Sequence, residues 1–193
     1  MRIDYEKIVQ AINFFARKNK GHRITKLYFL KLMFLADRYH LRMYGRLISN
    51  DRYVAMNCGP VASEAKKTFE FTGFIDLPEE CIRYATEYLN PIDDNAIVSV
   101  KDVDTDVFSE TDIEALEAAY KAWRTNRHKG LITYTHLFPE WEKHENELKE
   151  IKVCSMSLED FFLEAPCFAE YCPADADRVA LNKEHFLQMS DLM

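Results

Sequence analysis

Glycine and proline are scarce in this chain, 5 and 6 among 193 residues. That argues against a turn-rich β-sandwich and for helices. No apolar run reaches the ~20 residues of a membrane span. The most apolar stretch, Leu27 to Ala36, is interrupted by Lys31 and ends at Asp37-Arg38. The opening residues Met1 to Glu6 lack the apolar core of a signal segment. The five cysteines (Cys58, Cys81, Cys154, Cys167, Cys172) are odd in number and contain no Cys-x-x-Cys pair. Reduced thiols in a cytoplasmic protein are the expectation. Cys167 and Cys172 have no matching His or Cys pair, so zinc is not expected there.

Signatures of chemistry are equally sparse. There is no Walker loop, dinucleotide glycine pattern, Gly-x-Ser-x-Gly elbow or His-Glu-x-x-His. Asp37 with His40, and His144 with Glu147, stand at i, i+3, as two metal ligands can. Neither pair has a third ligand at recognisable spacing, so a local side-chain hydrogen bond is the expected role. No cofactor, metal or catalytic residue is expected.

Charge is present in abundance and unevenly placed. The net charge is −7, with 14 Lys+Arg against 6 Asp+Glu in residues 1–72 and 11 against 26 in residues 73–193. The densest basic patch is Arg17, Lys18, Lys20, His22, Arg23 and Lys26. One reading is a contact for nucleic acid or an acidic partner. The other is a solvated corner facing the protein's own acidic half, which suits an acidic chain better.

Hydrophobic content of 48% and aromatic content of 13% fit a folded core. Asp4 can cap a first helix that ends near Lys18, with Gly21 as stop signal. Thr25 can cap a second helix that runs to Gly45. Its apolar residues surround it, so it reads as central and buried. Tyr53 to Met56 has strand composition. Gly59-Pro60 reads as the start of a helix, with proline where no helix hydrogen bond is lost. Pro78-Glu79-Glu80 suggests another helix, Asn90 to Asn95 a turn, and Ala96 to Val100 a strand able to pair with Tyr53–Met56. Ser109 and Asp112 form a capping box ahead of a helix whose buried face is Ile113, Leu116, Ala119, Tyr120 and Trp123. His136 reads as a half-buried histidine whose ring bonds backbone at a helix end, rather than a general base. The expectation is a mainly α (α+β) single domain with a small antiparallel sheet. Its core covers about residues 4–163, and a helical tail covers 164–193 that either docks a partner or completes the core.

Several of these pieces, in this order, resemble the Panacea domain, the SocA-like or phage-associated GepA-like antitoxin family. They are Lys31-Leu32-Met33-Phe34-Leu35-Ala36, Tyr44-Gly45, Tyr53-Val54-Ala55-Met56, Gly59-Pro60-Val61, Phe108-Ser109-Glu110-Thr111-Asp112, and Thr135-His136 with Trp141. The resemblance implies a cytoplasmic, non-enzymatic antitoxin. Its partner is a cognate toxin encoded nearby, neutralised by direct binding, and SocA-like members also hand the toxin to a protease. It assigns no residue to the interface. Lys31, Tyr44, Gly45, Tyr53, Ala55, Gly59, Pro60, Ser109, Asp112, His136 and Trp141 are expected to serve the fold. The rival expectation is a DNA-binding regulator acting through Arg17, Lys18, Lys20, Arg23 and Lys26.

Overall fold

A computed structural model describes residues 3–74, 77–126, 130–165, 172 and 174–191. Cys167 lies outside the described residues. Eight α-helices and two three-stranded antiparallel sheets are found among them. The fold is mainly α with some β.

Helix α2 (Lys26–Tyr44) is the axis. It is buried along most of its length, and α5 (Glu110–Thr125), α8 (Ala176–Asp191) and β3 (Gly59–Ala62) pack on it. Thr25 stands at its N-cap, but its side chain makes no cap bond. The Asn95 carbonyl accepts from the Lys26 N–H instead, at 2.8 Å. Gly45 ends the helix at φ 72°, a left-handed conformation that side chains resist, and its N–H donates to the Leu41 carbonyl.

Helix α1 (Tyr5–Arg17) is capped by Asp4, whose carboxylate accepts from the Lys7 N–H. Helix α5 opens with the full capping box of Ser109 and Asp112. Helix α4 (Glu79–Tyr88) begins after Pro78, as expected. Ile113 and Tyr120 are only partly buried, while Leu116, Ala119 and Trp123 face the core. Phe34 is at its centre, with the rings of Tyr53, Phe138 and Phe161 centred 5.4 to 6.0 Å away in edge contacts.

The strands depart from expectation in three ways. Gly59-Pro60 does not start a helix. It is the start of β3, which pairs with β2 (Tyr53–Met56), Ala55 opposite Pro60. β3 is an edge strand of the order β3-β2-β6, where a missing N–H is tolerated. Helix α3 follows at Ser63–Phe69, and Asp51 accepts from its Glu64 and Ala65 N–H groups. Second, β5 (Ala96–Ser99) does not pair with β2. It lies between β1 (Arg23–Thr25) and β4 (Leu89–Asp93) in a separate sheet. Third, β4 takes up most of the expected Asn90–Asn95 turn. Pro91 is accommodated because β4 is an edge strand with an irregular register between Pro91 and Asp93. The partner of β2 is instead β6 (Val153–Ser155).

The C-terminal helix α8 lies on the end of α2. Asn182 donates to the Arg42 carbonyl at 2.8 Å, Val179 is buried, and the Phe186 and Phe162 rings are 5.9 Å apart. It packs on the core through these contacts and leaves Leu181, Leu187 and Met189 exposed.

Candidate functional site

The C-terminal half of α2 is polar in sequence yet as buried as the apolar half. Asp37, Arg38 and His40 are each 0% exposed. Such groups are costly in a core unless partnered. Asp37 accepts from the Ile48 N–H at 2.7 Å, Ser49 Oγ at 3.0 Å and Tyr53 Oη at 2.8 Å. Burial pushes its carboxyl up, and those three hydrogen bonds oppose the rise. Arg38 pairs with Glu140 at 2.5 Å and donates to the Leu163 carbonyl at 2.6 Å. Arg42 donates to the Phe162 and Leu163 carbonyls and pairs with Glu164. The expected hydrogen bond between Asp37 and His40 is replaced by separate partners. His40 Nδ1 donates to the Arg46 carbonyl, and Nε2 lies 3.2 Å from Asp112.

Asp112 is the second hub. It accepts from Lys7 at 2.6 Å, Arg46 at 2.8 Å and the Ser109 N–H at 3.0 Å. Burial alone would raise its pKa. The bonds from His40, Lys7 and Ser109 and the Arg46 charge outweigh this and hold it well below the usual range. Close by, Tyr44 and Tyr39 both donate to Glu114, at 2.7 and 2.6 Å.

A third group joins three of the motif segments. Lys31 is 1% exposed and donates to the Pro60 carbonyl at 2.6 Å. Burial lowers its pKa to about 7, with a small opposing effect of Cys58. A side chain at Gly59, where φ is 102°, would meet Thr135 Oγ1 at 2.9 Å and the Lys31 amine at 3.1 Å. Ala55 is buried in β2 beneath this group. The half-buried His136 ring stacks on Trp141 with centroids 3.5 Å apart and planes 8° apart. Its Nε2 has no hydrogen-bond partner among the described residues, so the expected backbone bond is not made there, and the ring lies stacked on the indole. Burial, then the Lys31 charge, lowers the His136 pKa. Trp141 Nε1 donates to the Met56 carbonyl at 3.0 Å, which ties this corner to β2.

The basic corner is largely matched by the chain's own acids. Arg17 pairs with Asp102, Lys18 with Glu117 at 2.5 Å, Arg23 with Asp93 at 3.9 Å, and Lys26 with Glu70 at 2.8 Å. Lys20 lies between them in a short 3-10 turn whose residues are exposed.

On another side, a groove of about 700 Å³ runs between the start of α1 and α4. Asp4, Glu6, Glu80 and Glu87 line it against one cation, Arg83, with Tyr84 among the rest. No motif residue contributes to it.

Sequence reasoning finds the Asp4 cap and the Ser109–Asp112 box, while Thr25 makes no cap bond with its side chain. That reasoning misses the Arg38–Glu140 pair, the Asp37 clamp and the Lys31 contact, because their partners lie 11 to 125 residues away with no spacing to announce them. The only cue is the polar run Asp37-Arg38 directly after an apolar one.

The motif residues Lys31, Tyr53, Ala55, Gly59, Pro60, Asp112 and Trp141 are buried, while Tyr44 and His136 are partly buried and Ser109 is exposed. The model for the family described as antitoxin SocA-like, Panacea domain, matches residues 29–142. The chain belongs to that family, and membership points to an antitoxin, non-enzymatic role with a toxin as partner. No curated protein and no solved structure matches the chain. No helix among the described residues is long and apolar enough to cross a membrane.

Proposed function

We propose that this protein neutralises a toxic partner protein in the cytoplasm by binding it directly. The family match over residues 29–142 carries the reading. The motif residues support it: Lys31, Tyr53, Gly59, Ser109, Asp112 and Trp141 are occupied with internal contacts. That leaves the exposed surface, rather than a catalytic pocket, as the working part.

The contact is assigned to the acidic groove between α1 and α4. Of its four carboxylates Glu87 pairs with Lys101 and Asp4 caps α1, which leaves Glu6 and Glu80 to favour a basic segment of the toxin. Charge complementarity of this sort raises association rate more than final affinity. A protein partner is preferred to DNA because four of the five cations in the basic corner already face acids. The test is co-expression with the product of the adjacent open reading frame, followed by purification. Restored growth together with a co-purifying complex supports the reading. Continued toxicity beside well-expressed protein rejects it.

A further inference from the structure

In the sequence, His144 and Glu147 lack a third partner. The fold supplies one from outside their turn. β6 pairs antiparallel with β2, Cys154 opposite Ala55. Its alternation buries Cys154 while Val153 and Ser155 face out. His144 is held from both sides by backbone: its N–H donates to the Trp141 carbonyl and its carbonyl accepts from the Leu148 N–H, each at 2.9 Å. As a result one imidazole nitrogen, the Cys154 Sγ and one Glu147 carboxylate oxygen all lie within 4.8 Å of one another.

The fold alone gives these groups weak reasons to converge. His144 Nδ1 reaches Glu147 only at 3.5 Å, too long for a good hydrogen bond. Its Nε2 is buried with no hydrogen-bond partner. Buried polar groups are normally satisfied, so the His144 ring, with Nε2 lacking a partner among the described residues, calls for a further participant.

We propose that His144, Glu147 and Cys154 bind one zinc-class divalent cation, with water in the fourth position. A sulfur, a nitrogen and an oxygen donor suit a borderline-soft metal and not Mg²⁺ or Ca²⁺, which want oxygen alone. Tetrahedral bonds of about 2.0–2.3 Å set ligand atoms roughly 3.3–3.8 Å apart, so atoms within 4.8 Å of one another close by no more than about 1.5 Å. The Glu147 side chain, 57% exposed, is free to adjust. On binding, the thiol proton leaves to solvent and the metal–sulfur bond replaces it. The ion then ties the turn after Trp141 to the exposed edge of the β3-β2-β6 sheet. All three ligands lie beyond residue 142, outside the matched family segment.

The test uses the full, untagged chain, stripped with chelator and titrated with Zn²⁺ and separately with Co²⁺. Expected are one ion per chain, a thiolate-to-cobalt charge-transfer band with tetrahedral cobalt absorption, and protection of Cys154 from alkylation by Zn²⁺. Cys154→Ser removes the band, and Glu147→Gln weakens Zn²⁺ binding about tenfold, whereas Cys58→Ser changes neither. Glu147 is exposed, so that variant keeps the fold even if Cys154→Ser does not. The proposal is overturned if Zn²⁺ fails to bind at micromolar concentration, if the cobalt spectrum lacks the thiolate band, or if Cys58→Ser abolishes binding.

Discussion

Asp112 and Glu80 are both carboxylates in the first turn of a helix, and their surroundings are opposite. Asp112 is fully buried and accepts from Lys7, Arg46 and the Ser109 N–H. Glu80 is exposed on the rim of a groove with more acids than bases. The same contrast holds more widely. Around α2, ionisable groups are buried and matched, and their chemistry is consumed by the fold. Between α1 and α4 most are exposed and acids outnumber Arg83, and their field is available to a partner. For a chain of the antitoxin SocA-like family, the first region has its charges matched internally and the second leaves charges exposed.

The comparison breaks first if the buried region is dispensable. Arg38→Ala leaves Glu140 buried without its cation and removes one of the two arginine donors to the Leu163 carbonyl. A loss of roughly 3–5 kcal/mol is expected, read from the urea midpoint. A change under about 1 kcal/mol would mean that this pair is ornamental.

Lys31 gives a sharper, signed version. Its pKa is about 7 when folded and 10.5 ordinarily. Between those values the unfolded chain holds a proton that the folded chain lacks, so stability rises with pH across that window. The slope is roughly 1.4 kcal/mol per pH unit. Measured from pH 7.5 to 9.5 against Lys31→Met, the difference isolates this group from cysteine titration. Parallel curves for the two proteins would refute a buried, deprotonating amine.

Gly45→Ala forces a side chain to φ 72°, while its Cβ meets Asn182 and His185 only at ordinary contact distance. Strain alone predicts a cost of roughly 1–2 kcal/mol by thermal melting. At the rim, Glu6→Lys with Glu80→Lys should shift stability by less than about 1 kcal/mol. The same pair should slow association with a basic toxin about tenfold at low salt, an effect that fades as salt is raised. An unchanged association rate would move the contact away from the groove.

What could be read from the residues follows from range. Asp4, Gly45 and the Ser109–Asp112 box announce helix ends through local chemistry, and all three stand where the sequence puts them. Gly59-Pro60 misled because proline without its N–H suits a helix start and an edge strand alike. Only the pairing of Ala55 with Pro60 decides between them. β1 and β6 have three residues each and one buried side chain apiece, too little pattern to read as strands. That is why β5 was matched with the wrong sheet. The groove was foreshadowed only as acidic excess, since α1 and α4 meet through packing that spacing does not encode. The His144, Glu147 and Cys154 trio was hidden for the same reason, its third member arriving through the β2–β6 register.

The claim on which the account rests is that the exposed surface grips a toxin while the motif merely holds the scaffold. Its most direct test is the stoichiometry and affinity of the purified protein with the adjacent gene's product, measured by calorimetry. A stable complex is predicted, weakened by charge reversal at Glu6 and Glu80 and indifferent to His136→Ala. Rescue of growth with no detectable complex, or rescue abolished by a folded His136→Ala variant that still binds, would contradict it.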